Sequence, residues 1–424
     1  MRYVLGGLVA AISAFVIMAF IVANAVFGWT RTAIAPSGDA HAFVSAASEY
    51  MNTENRGNAV MMLLEDGAIV GEYSVAKGEK VDRHTHFQLA SLSKWVSAWG
   101  VMTLVEAGKL DLDAPVARYL SRWSLPSSDF DHDKVTIRRL LSHTAGLTDG
   151  LGYSGFSADE AIQSLEESLT QARDKPDYTD GRVRVGIEPG TMYNYSGGGF
   201  TLLQLVIEEV SGQSFNSYMR EKVLIPLGME HSTYVLSEDN DNLAQFFDEN
   251  GQIAPHYRYT ALAAASLYAP ALDIARFLQA HAVGPNGEPV GRNILSPETL
   301  EIMRMPMGYS LGFEVYGVGV GLYGTDKAGE YVIGHDGSNR PAIGTTARIN
   351  PSTGDGIIIL ATGHRNLATK IAGEWGVWKT GKPDIGLIFN EILGTIKLAL
   401  VIGLIVFISI LILWLRRPVK KVSS

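Results

Sequence analysis

Apolar positions follow three different rhythms along this chain. At both ends they run unbroken. From Tyr3 to Trp29 the chain reads "YVLGGLVAAISAFVIMAFIVANAVFGW", and from Leu398 to Leu415 "LALVIGLIVFISILILWL", without a charged residue in either. A bilayer-crossing helix needs about 20 predominantly apolar residues, so both runs are candidates to span. The first exceeds the ~7–15 residues of a signal-peptide core, although "ANA" at 23–25 is an A-x-A cleavage pattern and leaves removal open. Arg416, Arg417, Lys420 and Lys421 directly follow the second run, and positive charge beside a span marks its cytoplasmic side. With both spans kept, the bulk of the chain lies outside, on the periplasmic or extracellular face of the cytoplasmic membrane.

Between the ends the period is two, then about 3.6, then two again. "NAVMMLLEDGAIVGEYSVAKG" (58–78) predicts two strands joined at Asp66-Gly67. "SLSKWVSAWGVMTLVEAGKL" has helical spacing and a stop at Gly108. Residues 112–300 read as helix and loop, with "VTIRRLLSHTAGL" and "GFTLLQLVIEEVSG" as amphipathic pieces. From 310 onward "LGFEVYGVGVGLYG", "YVIGH", "GTTARINP" and "DGIIILAT" predict successive strands, and "NLATKIAGEWGVW" a closing helix. The expected fold is α+β: one antiparallel sheet built by both ends of the domain, flanked by helices, with a helical insertion at about 112–300. The expected division is an N-terminal signal-anchor or transmembrane helix (1–30), a folded domain (31–383), a membrane-proximal and transmembrane helix (384–415) and a basic cytoplasmic tail (416–424). Within the third segment, "DIGLIFNEILGTIK" (384–397) reads as an interfacial helix leading into the span.

Composition narrows the functions. Hydrophobic residues make up 46% and charged residues 19%, enough apolar material for a large core, and the net charge of −9 argues against nucleic acid as a partner. There is no cysteine, which excludes disulfides, thiolate metal sites and a cysteine nucleophile. "HTH" at 84–86 lacks a third ligand and reads as a surface pair, so no metal is expected.

The candidate chemistry is a serine. Ser91 and Lys94, in "SLSK", stand three apart at the start of a predicted helix, where i and i+3 share a face. The lysine amine can reach the hydroxyl, and the helix N-terminus favours a developing oxyanion. "SVAK" (74–77) matches the same pattern, but on a strand, where residues three apart point to opposite faces. "GYSLG" (308–312) has the outline of a lipase elbow around Ser310. That elbow needs a strand before and a helix after the serine. Here the order is reversed, and Ser310 reads as a turn residue.

"FQLASLSK", "VTIRRLLSHTAGL", "EPGTMYNYSGGGF", "AAASLYAPALDIARFL" and "GHDGSN" resemble, in this order, the class C β-lactamase-related serine hydrolases. That group includes penicillin-binding proteins, D-amino-acid peptidases and β-lactamase-fold esterases. The resemblance covers about residues 45–375 and implies a β-lactamase/transpeptidase-like fold. It assigns Ser91 as nucleophile, Lys94 and Tyr195 as proton-handling groups, and "HDG" (335–337) as the third motif on a strand. It places His335, Gly337, Ser338 and Gly197 at the substrate, with the backbone N–H groups of Ser91 and Ser338 as oxyanion hole. Tyr193 lies two residues too early for the catalytic tyrosine and reads as packing, and "YMN" (50–52) precedes the serine. "KTG" (379–381) is a second literal match to the third motif, but it ends a predicted helix. His143 reads as part of a structural turn.

The resemblance implies acyl transfer through an acyl-enzyme with no metal or organic cofactor. Gly197 replaces the asparagine of Y-x-N, and His335 replaces a permanently charged lysine. Both departures weaken a β-lactamase reading and favour an ester, amide or D-residue peptide. The alternatives are a penicillin-binding carboxypeptidase or transpeptidase, a β-lactamase, and a non-catalytic ligand-binding sensor. The expected partners are a small-molecule or peptide substrate and membrane lipid.

Overall fold

The computed structural model describes residues 2–150, 152–237 and 242–416. After helix α1 (Arg2–Phe27) and helix α2 (Ala40–Glu54) come β1 (Ala59–Glu65) and β2 (Ala68–Val75). Asp66 and Gly67 join these strands with φ of 49° and 74°, the left-handed pair that a tight hairpin requires. Then follow β3 (Phe87–Gln88), α3 (Ser93–Glu106), α4 (Ile137–Leu141), α5 (Leu165–Gln171), α6 (Gly197–Ser211), α7 (Phe215–Met219), α8 (Leu262–Ala265), β4 (Tyr268–Ala269), α9 (Ala271–Gln279) and α10 (Pro297–Arg304). The chain returns to strands with β5 (Gly308–Ser310), β6 (Phe313–Tyr316), β7 (Gly321–Thr325), β8 (Tyr331–Asn339), β9 (Ile343–Ile349) and β10 (Gly356–Thr362), and closes with α11 (Leu367–Thr380) and α12 (Ile385–Arg416).

Eight strands form one sheet in the order β2-β1-β10-β9-β8-β7-β6-β5, while β3 and β4 pair separately. β1 lies between β2 and β10, antiparallel to both, so strands from the two ends of the domain pair side by side in one sheet, as the apolar pattern predicts. Side chains alternate across the sheet. Val60, Met62 and Leu64 pack on one face with Ile358 and Leu360, against Trp95, Trp99 and Phe277. Ala59, Met61 and Leu63 pack on the other with Ile357 and Ile359, against Phe43, Ile371 and Trp375. Both faces are covered, so β1 and β10 read as unbroken apolar runs rather than as alternation.

Two sequence expectations change in length. The helix predicted in "VTIRRLLSHTAGL" is only α4, because His143 takes φ of 57° and ends it. The segment 384–397 is not a separate helix. It continues without a break into the apolar run as the 32-residue α12, since no proline interrupts its backbone hydrogen bonding.

α1 and α12 are both long and apolar enough to cross a membrane, by length and composition. They pack along each other at small residues: Ala10, Ala14 and Ala399 are buried. A side chain at Gly6 would strike Trp414, and one at Gly403 would strike Met18. Arg31, just past α1, donates to Glu374 of α11 and Glu391 of α12 at 2.5 and 2.8 Å.

Candidate active site

Ser91 sits in a 3-10 turn, Ala90–Leu92, that feeds directly into α3. Ala90 before it has φ of 49°, a left-handed conformation that costs energy in any residue with a Cβ. The turn is held from two sides. Thr345 Oγ1 donates to Leu89 O at 2.7 Å, and Ser93 Oγ donates to Ala90 O at 2.6 Å. β8 presses on the same turn at Gly337, where a Cβ would lie 2.2 Å from Leu89 O. Only glycine allows that approach, which brings Ser338 and Ser91 to the same pocket.

Lys94 points back along the first turn of α3, and its Nζ lies 3.3 Å from Ser91 Oγ. It also donates to Ala264 O at 2.9 Å and stands 5.0 Å from the centre of the Tyr195 ring. Lys94 is 1% exposed. Burial pulls its amine down from the ordinary lysine range to about 7, against the opposing pull of the Asp149 carboxylate. The half-buried Tyr195 lines the same cavity as Ser91, and burial raises its phenol against the opposing pull of the Ser91 hydroxyl. The three groups named from the sequence are therefore brought together, with Lys94 between the Ser91 hydroxyl and the Tyr195 ring.

The neighbours of Tyr195 come from two motifs of the insertion. His143 packs tilted against its ring, the ring centres 4.2 Å apart, and accepts from Ser196 N at Nδ1, 3.1 Å away. Burial, helped by Lys94 and His335, lowers His143 well below the ordinary histidine range, so it stays neutral. The buried Asp149 carboxylate accepts from the Ser196 hydroxyl, and from Gly198 N at 2.7 Å. It thereby caps α6 and fixes the chain just past Tyr195. A Cβ at Gly198 would collide with that carboxylate at 2.8 Å. Gly197 is buried behind the site, facing Tyr153, rather than lining the opening.

His335 on β8 is 5% exposed and lines the pocket. Its Nδ1 is 2.6 Å from Asp336 O. A carbonyl only accepts, so Nδ1 carries the hydrogen and Nε2, which has no partner, offers a lone pair. Burial, with Lys94 adding to it, lowers His335 to about 4, which leaves a neutral acceptor in the pocket. The rival third motif lies elsewhere: Lys379 pairs with Glu65 at 2.6 Å and Asp355 at 3.2 Å. Ser310 ends β5, and the turn after it puts Leu311 and Gly312 at positive φ. Lys77 is turned away to Gly251 O.

The cavity holds 480 Å³ and takes in Ser91, Tyr195, His335, Asp336 and Ser338. Tyr193, expected to pack, also lines it, beside Tyr316 and Tyr323. Its far wall is Ile385, Gly386 and Phe389 of α12, which sequence reasoning missed. Behind that wall the fully buried Arg348 pairs with Asp384 and, at 3.3 Å, with Asp336. Asp384 in turn accepts from Leu387 N at 2.9 Å and caps α12. "SHTAGLTDG" and "YNYSGGG" contained a signal for His143 and Asp149, being polar residues inside motifs otherwise built of turns. The α12 wall has no local signal.

An antiparallel sheet covered on both faces, which sets a serine one helical turn from a buried amine, beside a tyrosine and a third-motif strand, belongs to the serine hydrolases of β-lactamase/transpeptidase-like fold. The family model described as Beta-lactamase matches residues 43–381, and the chain belongs to that family. Penicillin-binding protein 4 of Amycolatopsis lactamdurans is 26% identical over 68% of this chain and 74% of its own length. Esterase EstB of Burkholderia gladioli is 31% identical over 42% of this chain and 45% of its own. The chain thus spans less than half of that esterase, and 39% of the penicillin-binding protein 4* of Bacillus subtilis (strain 168). Among solved structures, the octameric penicillin-binding protein homologue from Pyrococcus abyssi superposes with a TM-score of 0.64 at 24% identity, over 81% of this chain and 78% of that one. That likeness is one of fold.

Proposed function

We propose that this protein is a membrane-anchored serine hydrolase that cleaves an ester, amide or D-residue peptide bond through an acyl-enzyme. The observation that carries the reading is the buried Lys94 amine, 3.3 Å from the Ser91 hydroxyl and lowered to about 7. At neutral pH a large share of that amine is unprotonated, as a general base requires. The raised Tyr195 phenol stays protonated and acts as relay and acid. Ser91 Oγ bonds to the acyl carbon and its proton passes to Lys94. Tyr195 then delivers a proton to the leaving oxygen or nitrogen as that bond breaks, and is reprotonated from Lys94. Water, deprotonated by the same pair, attacks the acyl carbon, and the proton passes on to Ser91 Oγ as its bond to that carbon breaks. The N–H groups of Ser91 and Ser338 face the developing oxyanion.

His335, neutral and presenting a lone pair, is suited to accept from a substrate N–H or O–H. It is poorly suited to grip a carboxylate, and with glycine at 197 this argues against efficient β-lactam turnover. Anchoring is supported by the paired apolar helices α1 and α12 and by the basic residues from Arg416 onward, which put both chain ends in the cytoplasm. Intact mass after a fluorophosphonate probe tests the reading: one adduct on Ser91, absent from Ser91→Ala, together with turnover of short esters, is expected. Cephalosporin hydrolysis at rates typical of enzymes, about 10 s⁻¹, would overturn the substrate preference.

A further inference from the structure

The pocket wall contributed by α12 points to the substrate's physical form. Phe389 lines the catalytic cavity and is 38% exposed. Leu393, Ile396 and Leu400, at 69%, 40% and 58% exposure, follow it at spacings of four, three and four, so all four lie on one helical face. The opposite side of the same turns is occupied, since Glu391 holds Arg31. An uncovered apolar stripe therefore runs from the serine's cavity into the segment apolar enough to cross a membrane. The join is built firmly: Arg348, fully buried between Asp336 and Asp384, links the strand of His335 to the cap of α12. Gly386 lets the helix sit against Arg348, because a Cβ there would approach its guanidinium to 2.7 Å.

We propose that the substrate is an amphiphile resident in the outer leaflet, an ester or amide whose hydrocarbon chain lies along Phe389, Leu393 and Ile396 while its polar carbonyl reaches Ser91. The inference rests on the hydrolase and anchoring readings above, and it names their substrate class. An exposed apolar stripe of this kind costs free energy in water. In a leaflet that cost vanishes, and the stripe becomes the boundary along which an acyl chain slides.

The test uses the full chain in phosphatidylcholine nanodiscs with two substrates that share a leaving group, 4-methylumbelliferyl acetate and 4-methylumbelliferyl oleate. The quantity read is the ratio of kcat/KM for oleate to that for acetate. Phe389→Asn and Leu393→Asn are each expected to lower it about tenfold or more. An unchanged ratio in both variants, with acetate still hydrolysed, overturns the inference and leaves the hydrolase reading standing. If acetate is not hydrolysed and fluorophosphonate does not label Ser91, the hydrolase reading falls and takes the inference with it.

Discussion

The chain contains the same four-residue pattern twice, 17 positions apart, and the two copies have nothing in common beyond the letters. In "SLSK" the serine leads into a helix, and the lysine comes back to it one turn later at 3.3 Å. In "SVAK" the serine is on β2, at an exposed position opposite Val60, and the lysine runs off the strand end to Gly251 O and the ring of Phe247. The first amine is buried and lowered to about 7, whereas the second is exposed. Backbone period decides whether two groups meet, and burial decides whether the amine can act as a base once they do.

The comparison can be broken most sharply at the serines. Ser91→Ala is expected to lower kcat/KM for a short ester by at least about 10⁴-fold, measured by steady-state hydrolysis. Lys94→Met keeps the stem and removes the amine, and should cost about 10²–10⁴-fold in the same assay. A smaller loss, about 10²-fold in kcat, is expected for His143→Ala, which frees the Tyr195 ring and strands Ser196 N. His143→Asn should recover part of it, because asparagine tolerates positive φ and offers an acceptor. A protonated Lys94 cannot take the serine proton, so log kcat/KM should rise with unit slope below pH about 7 and level off above it. A profile flat from pH 5 to 9 would contradict Lys94 as the base. At the small end, Ser74→Ala and Lys77→Met should leave turnover within about twofold, as surface changes do.

What the sequence revealed follows from how local each signal is. The hairpin at Asp66-Gly67, the helix after Ser91 and the terminal apolar runs each depend on a few adjacent residues. The choice of "HDG" over "KTG" was also legible, because Gly337 sits in a strand pattern and Lys379 at a helix end. Tyr193 packs as its spacing from "PGT" suggests, against His143 and Tyr316, but that spacing does not tell that the ring also borders the cavity. The Arg348–Asp384 and Arg348–Asp336 pairs were out of reach for a different reason. They join residues 36 and 12 positions apart, across a fold that one-dimensional periodicity cannot close. The wall of α12 was hidden by its own composition: Phe389 in an apolar helix looks like any other residue facing lipid.

Arg31 lies between α11 and α12, bonded to Glu374 and Glu391, with only a short stretch separating it from Phe27. On the other side, Asp384 follows within four residues of the end of α11 at Thr380. Neither stalk has slack. With the two helices seated in a bilayer, as proposed above, these short connections would hold the folded body close to them rather than on a flexible leash, which is the arrangement an amphiphilic substrate calls for.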